Sequence, residues 1–164
     1  MSEARAVIGL GNTLRCDDGI GILVLEELKR RDALCGCESL DFGTASFDLI
    51  HRFRHYQTIL LIDGINAPGL APGALVIKPV DQLNCTSKLA GSSHELNLKD
   101  LFELSRTLGM DTRIYLAGIQ VQDVSFQEGL TPQLKEQFKH IVDEIAMFIK
   151  DNLAAAPPSV SGPG

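Results

Sequence analysis

The chain has 164 residues, 45% of them hydrophobic and 22% charged, with 15 Lys+Arg against 21 Asp+Glu and a net charge of −6. This length suits one domain with a substantial core; the composition excludes global disorder, and an acidic chain without a basic stripe is a poor partner for nucleic acid or an anionic membrane. The apolar runs are far shorter than the ~20 residues of a membrane helix, Met1-Ser2-Glu3-Ala4-Arg5 does not read as a signal peptide, and Cys16, Cys35, Cys37 and Cys85 form no C-x-x-C pair, so reduced thiols in a cytoplasmic protein are expected.

Residues 6–10 are apolar and rich in β-branched side chains and stop at Gly11-Asn12, a turn signal, which predicts a first strand buried on both faces. Over 19–31, Ile20, Leu23, Val24 and Leu28 recur at helical spacing, and Asp17 and Asp18 stand where an N-cap belongs. Residues 38–42 predict a second strand ending at Gly43-Thr44, and 46–53 a short helix. The continuous apolar run 58–62, closed by Asp63, belongs in the middle of a parallel sheet covered on both faces. A Pro/Gly loop over 67–72 leads to a short strand over 74–78, closed by Pro79. Residues 81–93 lack periodicity and predict a long loop. A helix is expected over 95–108, with Leu98, Leu101, Phe102 and Leu108 on one face and Ser92 and Glu95 as a capping box. Residues 114–118 predict the last core strand. Thr131-Pro132 places a cap and then Pro at the first helical position, opening a long helix that buries Leu134, Phe138, Ile141, Val142, Ile145 and Ile149. One domain over 1–152 is expected, followed by a disordered tail over 153–164 that is rich in Ala, Pro, Ser and Gly.

Alternating strands and helices predict a three-layer α/β/α sandwich around a mostly parallel twisted sheet of about five strands. Ligands in such sheets bind beyond the carboxyl ends of the strands. The polar residues expected there are Asn12, Asp17 and Asp18 after the first strand, Asp41 and Thr44 at the second, Asp63 and Asn66 at the third, and Ser93, His94 and Glu95 where the third helix opens. Gly9-Leu10-Gly11 is not a dinucleotide fingerprint: Leu14 stands where the third glycine belongs, and the acidic residue expected ~20 positions on is missing. Neither a P-loop nor a G-x-S-x-G elbow is present. A helix needs one cap, so one carboxylate of Asp17-Asp18 is surplus. Asp63, at the end of a buried strand, must be paired, bound to a cation or open to a cleft. His94, in a helix first turn, favours the neutral form that ligates metals. His51 and His55 flank Arg52 and Arg54 and read as a solvated helix end, His140 lies on a polar face, and Cys16 has no partner base.

Gly11-Asn12-Thr13-Leu14-Arg15-Cys16-Asp17-Asp18-Gly19-Ile20-Gly21 resembles the G-N-x-x-x-x-D-(D/E)-x-x-G signature of the [NiFe]-hydrogenase maturation endopeptidases. Asp41-Phe42-Gly43-Thr44 is similar to that family's D-G-G-T, with Phe42 in place of a glycine, and Asp63-Gly64 to its D-A or D-G. Ser93-His94-Glu95-Leu96 is similar to its H-x-L, Gly118-Ile119-Gln120-Val121 to its G-I-x-P, with Val121 in place of Pro, and Gly129-Leu130-Thr131-Pro132 to its G-L-T-P. Asp18 stands where some members carry Glu.

The resemblance implies an aspartic-type endopeptidase by family classification. It would remove the C-terminal extension of a hydrogenase large-subunit precursor after nickel insertion. It carries a metal-contacting triad over to Asp18, Asp63 and His94, with the nickel brought by the substrate and cadmium or zinc able to substitute in vitro. Three protein ligands leave coordination positions open, and the set suits a borderline divalent metal. Asp41 is the candidate catalytic base if a carboxylate rather than the metal activates water. A monomer acting on the precursor is expected, with neither nucleic acid nor membrane insertion. The alternatives are a non-cleaving nickel-dependent scaffold for the large subunit and another hydrolase on a related fold, such as peptidyl-tRNA hydrolase, which the net charge disfavours.

Overall fold

A computed structural model describes residues 3–43, 48–82 and 98–154. Its elements are β1 (Arg5–Leu10), a 3₁₀ turn (Cys16–Gly19), α1 (Ile20–Arg30), β2 (Glu38–Gly43), α2 (Asp48–Phe53), β3 (Thr58–Ile65), β4 (Leu75–Pro79), a second 3₁₀ turn (Val80–Gln82), α3 (Leu98–Thr107), β5 (Arg113–Gln120) and α4 (Pro132–Asn152). The five strands lie in the order β2-β1-β3-β5-β4. β2, β1, β3 and β5 are parallel, and edge strand β4 runs antiparallel to β5.

The pleat divides the apolar residues between two cores. Ala6, Ile8, Ile59, Leu61, Ile114 and Leu116 face one side, where Leu49, Ile50 and Phe53 of α2 and Leu101 of α3 cover them. Val7, Leu60, Ile62, Ala117 and Ile119 face the other, under Ile20, Val24, Leu25 and Leu28 of α1 and Leu134, Ile141, Val142, Ile145 and Ile149 of α4. Because side chains alternate along a strand, the continuous run in β3 fills both cores, and every residue of that strand is buried. The expected three-layer sandwich is thus the observed one.

Several local expectations differ. α1 starts at Ile20 with Gly19 as its N-cap and no side-chain cap, so neither Asp17 nor Asp18 caps it. Thr131 and Pro132 do hold the N-cap and first positions of α4, but the Thr131 side chain caps nothing there. α3 ends at Thr107, and Leu108 lies one residue beyond it, 54% exposed rather than packed with Leu101. Phe138 is only partly buried. Leu153 is fully buried in the α1/α4 core, so packing extends past residue 152. Thr44, Cys85, the start of the second predicted helix, the proposed capping box and the tail from 155 lie outside the described residues. Cys16, Cys35 and Cys37 are free thiols, and among the described residues no helix is long and apolar enough to cross a membrane.

Candidate active site at the rim of the sheet

Two glycines let the chain fold back over the ends of β1 and β3. Gly11 has φ +126°, and a Cβ there would lie 1.9 Å from the Asp18 carbonyl oxygen. A Cβ on Gly21 would lie 2.3 Å from the Ile62 carbonyl oxygen and 2.4 Å from that of Leu10. Real side chains cannot occupy such space, so Gly11 lets the 3₁₀ turn close on the end of β1, and Gly21 lets the first turn of α1 rest directly on the sheet backbone. Asn12 shapes the intervening loop: its Oδ1 accepts from the Leu14 amide at 2.9 Å, and its own amide donates to Asp18 Oδ2 at 3.0 Å.

Asp17 and Asp18 then part company. Asp17 is fully buried and accepts from the amides of Gln122 (2.9 Å), Asp123 (3.1 Å) and Thr131 (2.7 Å). The Thr131 hydroxyl also reaches both of its carboxylate oxygens, at 3.0 and 2.9 Å. That is where the Thr131 hydroxyl goes instead of capping α4. Asp17 therefore staples the loop after β5 to the 3₁₀ turn; its sequence signal was the surplus carboxylate, but spacing could not show which of the two was surplus.

Asp18 is also buried, yet its Oδ1 has no hydrogen-bond partner. Burial raises its pKa, opposed by the Asn12 amide and the charge of Arg15. Asp63 lies inside β3 rather than at its end, paired across the sheet with Gly118, because Gly64 and Ile65 continue the pairing to Ile119 and Gln120. Its Oδ1 is likewise buried and unpartnered. Burial first, and then the Asp18 carboxylate beside it, push Asp63 well above the usual carboxylate range, with the Gly64 amide working the other way. The site is thus two neighbouring buried carboxylates, each with one oxygen unsatisfied. Such a pair is costly unless a proton or a cation completes it.

Asp41 stands apart from this pair. It is exposed on edge strand β2, its Oδ1 accepting from the Gly43 amide at 3.1 Å. It pairs with Gly9, whose other neighbour is Ile62, so two strand spacings, about 10 Å, separate it from β3. The pleat turns it toward the α1 face, since a Cβ on Gly9 would meet Leu25, while Asp63 shares its face with Gly118, whose Cβ would meet Ile65 of the α2/α3 core. Asn66 follows β3 and joins the rim through Gln120, whose Nε2 donates to Asn66 Oδ1 at 3.4 Å. His94, Ser93 and Glu95 lie outside the described residues.

A family model described as hydrogenase maturation protease matches residues 22–147. The chain belongs to the hydrogenase maturation protease family. The hydrogenase 2 maturation protease of Escherichia coli is 26% identical over 154 residues, covering 93% of this chain and 94% of that protein. The hydrogenase expression/formation protein HupD of Bradyrhizobium diazoefficiens is 29% identical over 141 residues, 84% of this chain and 73% of that one. Among solved structures, the hydrogenase-maturating endopeptidase HybD from E. coli superposes with a TM-score of 0.74 at 25% identity, covering 96% of this chain and 99% of that chain. The [NiFe] hydrogenase maturation protease HycI from Thermococcus kodakarensis, at 23% identity and a TM-score of 0.68, shows the same fold over 91% of this chain and 94% of its own. Members of this family are endopeptidases acting in hydrogenase maturation. The family match displaces the tRNA-hydrolase alternative. In this maturation protease the signature glycines serve close packing, the first signature Asp binds a loop, and the second lies beside Asp63.

Proposed function

We propose that this protease removes the C-terminal extension of a [NiFe]-hydrogenase large-subunit precursor after nickel insertion, and that Asp18, Asp63 and His94 engage the nickel carried by that substrate. The observation behind this reading is the pair of buried oxygens, Asp18 Oδ1 and Asp63 Oδ1, that have no partner. A divalent cation satisfies both and removes the repulsion between their carboxylates.

No group of three or more His, Cys, Asp or Glu is arranged for a metal among the described residues. The donors offered there are therefore two carboxylates, and the reading takes its third from His94. That residue precedes the first residue of α3 by four positions, at most ~14 Å of chain, and α3 covers the sheet face that Asp63 shares. An incomplete ligand set suits a metal that arrives already held by the substrate. Cadmium or zinc is proposed to substitute in vitro. Nickel then serves as a handle that places the scissile segment on the rim, and placement can supply much of the rate enhancement. Asp41, exposed on edge strand β2 and about 10 Å from β3, is the candidate proton acceptor outside the pair.

The test is a mobility shift of the precursor with nickel-loaded and nickel-free substrate, using the wild type, Asp18→Asn and Asp41→Asn. The loaded precursor is shortened by the wild type and persists with Asp18→Asn; the unloaded one persists throughout. Equal shortening of unloaded precursor refutes nickel recognition. Unimpaired cutting by Asp41→Asn removes Asp41 from the chemistry. A stable complex without a shortened product would make the chain a scaffold.

A further inference from the structure

Two large apolar side chains protrude from the loops beside the carboxylate pair: Leu14 is 56% and Phe126 82% exposed. Their backbones are nevertheless tied down. Leu14 lies in the turn closed by Asn12 Oδ1, and its carbonyl accepts from the Gln127 amide at 3.1 Å, while the Cys16 amide donates to the Gln127 carbonyl at 2.6 Å. Arg15 bridges to Gln127 in parallel fashion, its Nε donates to the Val124 carbonyl at 3.1 Å, and its guanidinium lies 5.0 Å from the centre of the Phe126 ring. Beneath this zipped pair of loops, Asp17 holds Gln122, Asp123 and Thr131.

The hydrogen bonds that join the loops run through backbone atoms, Asn12, Arg15 and Asp17, and the apolar side chains stay largely in solvent, Phe126 meeting only the Arg15 guanidinium among the contacts named above. A Leu and a Phe held out on a rigid support have the properties of binding anchors: large apolar area and little freedom left to lose on association. Leu14 is four residues from Asp18, at most ~14 Å along the chain. A folded protein lying over the carboxylates is wide enough to reach it.

We propose that Leu14 and Phe126 form the docking surface by which the protease grips its folded precursor substrate, inserting as two knobs into an apolar depression beside the segment to be cut. This rests on the function proposed above. It assigns to these residues the selection of the client protein, separate from the carboxylates that address its nickel.

The experiment compares the wild type with the double variant Leu14→Ser/Phe126→Ala on nickel-loaded precursor, by steady-state cleavage and by binding to immobilised precursor. The variant is expected to melt with the wild type. Its KM should rise at least tenfold, about 1.4 kcal/mol of lost binding, with kcat within about twofold, and binding should weaken by the same factor. An unchanged KM, or a fall in kcat alone, overturns the docking role. Should the wild type bind the precursor without cutting it, the proposed function fails while the binding comparison still decides this inference: equal binding refutes it and tenfold weaker binding sustains it. Phe126→Ala alone is read in the same way if the double variant loses thermal stability.

Discussion

Neighbouring aspartates in this protein should answer the same substitution with opposite signs. In Asp17→Asn, one carboxylate oxygen becomes an amino group aimed at donors. If it replaces Oδ1, the Thr131 amide loses its acceptor; if it replaces Oδ2, the amides of Gln122 and Asp123 lose theirs. Stranding one partly buried amide costs about 1–3 kcal/mol, and the remaining bonds lose their charge assistance. A total of roughly 2–4 kcal/mol follows, which for a domain of this size lowers Tm by about 5–15 °C. In Asp18→Asn, the amide oxygen can still accept from the Asn12 amide, the unpartnered Oδ1 gives way to a donor beside Asp63, and a buried charge disappears. That change should be neutral or stabilising by up to about 2 kcal/mol. Differential scanning fluorimetry in chelator compares both variants with the wild type. A loss of similar size in both would mean that Asp18 is held as a structural residue and that the unsatisfied pair is not a feature of the folded protein.

The pair also predicts a pH dependence. Asp63 is raised well above its unfolded value of 3.8, so the folded state holds a proton that the unfolded state has released. The stabilisation from that proton is complete below the unfolded value and is lost as pH rises through the folded one. Asp18 shifts in the same direction. Metal-free Asp63→Asn should therefore gain on the wild type as pH rises above the unfolded carboxylate value, and a constant difference between their melting points would refute the shift. Gly21→Ala should abolish soluble expression or lower Tm by more than about 10 °C, because its Cβ meets two sheet carbonyls that cannot move without breaking strand packing. Gly36→Ala, at φ +82° but with nothing within 4 Å, should cost only about 1–2 kcal/mol.

Much of the fold is legible in the sequence because burial on both faces writes itself as an unbroken apolar run, as in β3, and burial on one face as helical periodicity, as in α4. What failed was local. Asp17 and Asp18 match the composition of a helix cap, but the 3₁₀ turn of Cys16–Gly19 moves the helix start to Ile20 and frees both side chains. Thr131 stands at the expected N-cap, yet the buried Asp17 competes for its hydroxyl and wins with the stronger, charge-assisted bond. The order β2-β1-β3-β5-β4 and the antiparallel run of β4 depend on long-range pairing, which no local window carries. The rim position of Asp18 and Asp63 could be inferred, since Asp18 follows β1 and Asp63 closes the apolar run 58–62; their proximity, their unsatisfied oxygens and the continuation of β3 past Asp63 could not.

The same division explains why the signature carries two acidic residues rather than one. A carboxylate available to a ligand must be left unsatisfied by the protein, and a turn built around it alone would have little to hold it in place. Asp17 supplies that hold from the adjacent position: its four donors fix the turn against the loop after β5, so Asp18 is spared a structural role. The loops joined in this way are also the ones that present Leu14 and Phe126. Loosening Asp17 should therefore disturb three properties together, namely stability, the aim of Asp18 and the grip on substrate. Asp18→Asn should affect chemistry without loss of stability, and Leu14→Ser/Phe126→Ala should affect substrate binding alone. Three variants within one pair of loops thus separate by which measurement they move, and a Leu14→Ser/Phe126→Ala protein that lost stability as Asp17→Asn does would place those side chains in the fold rather than at the interface.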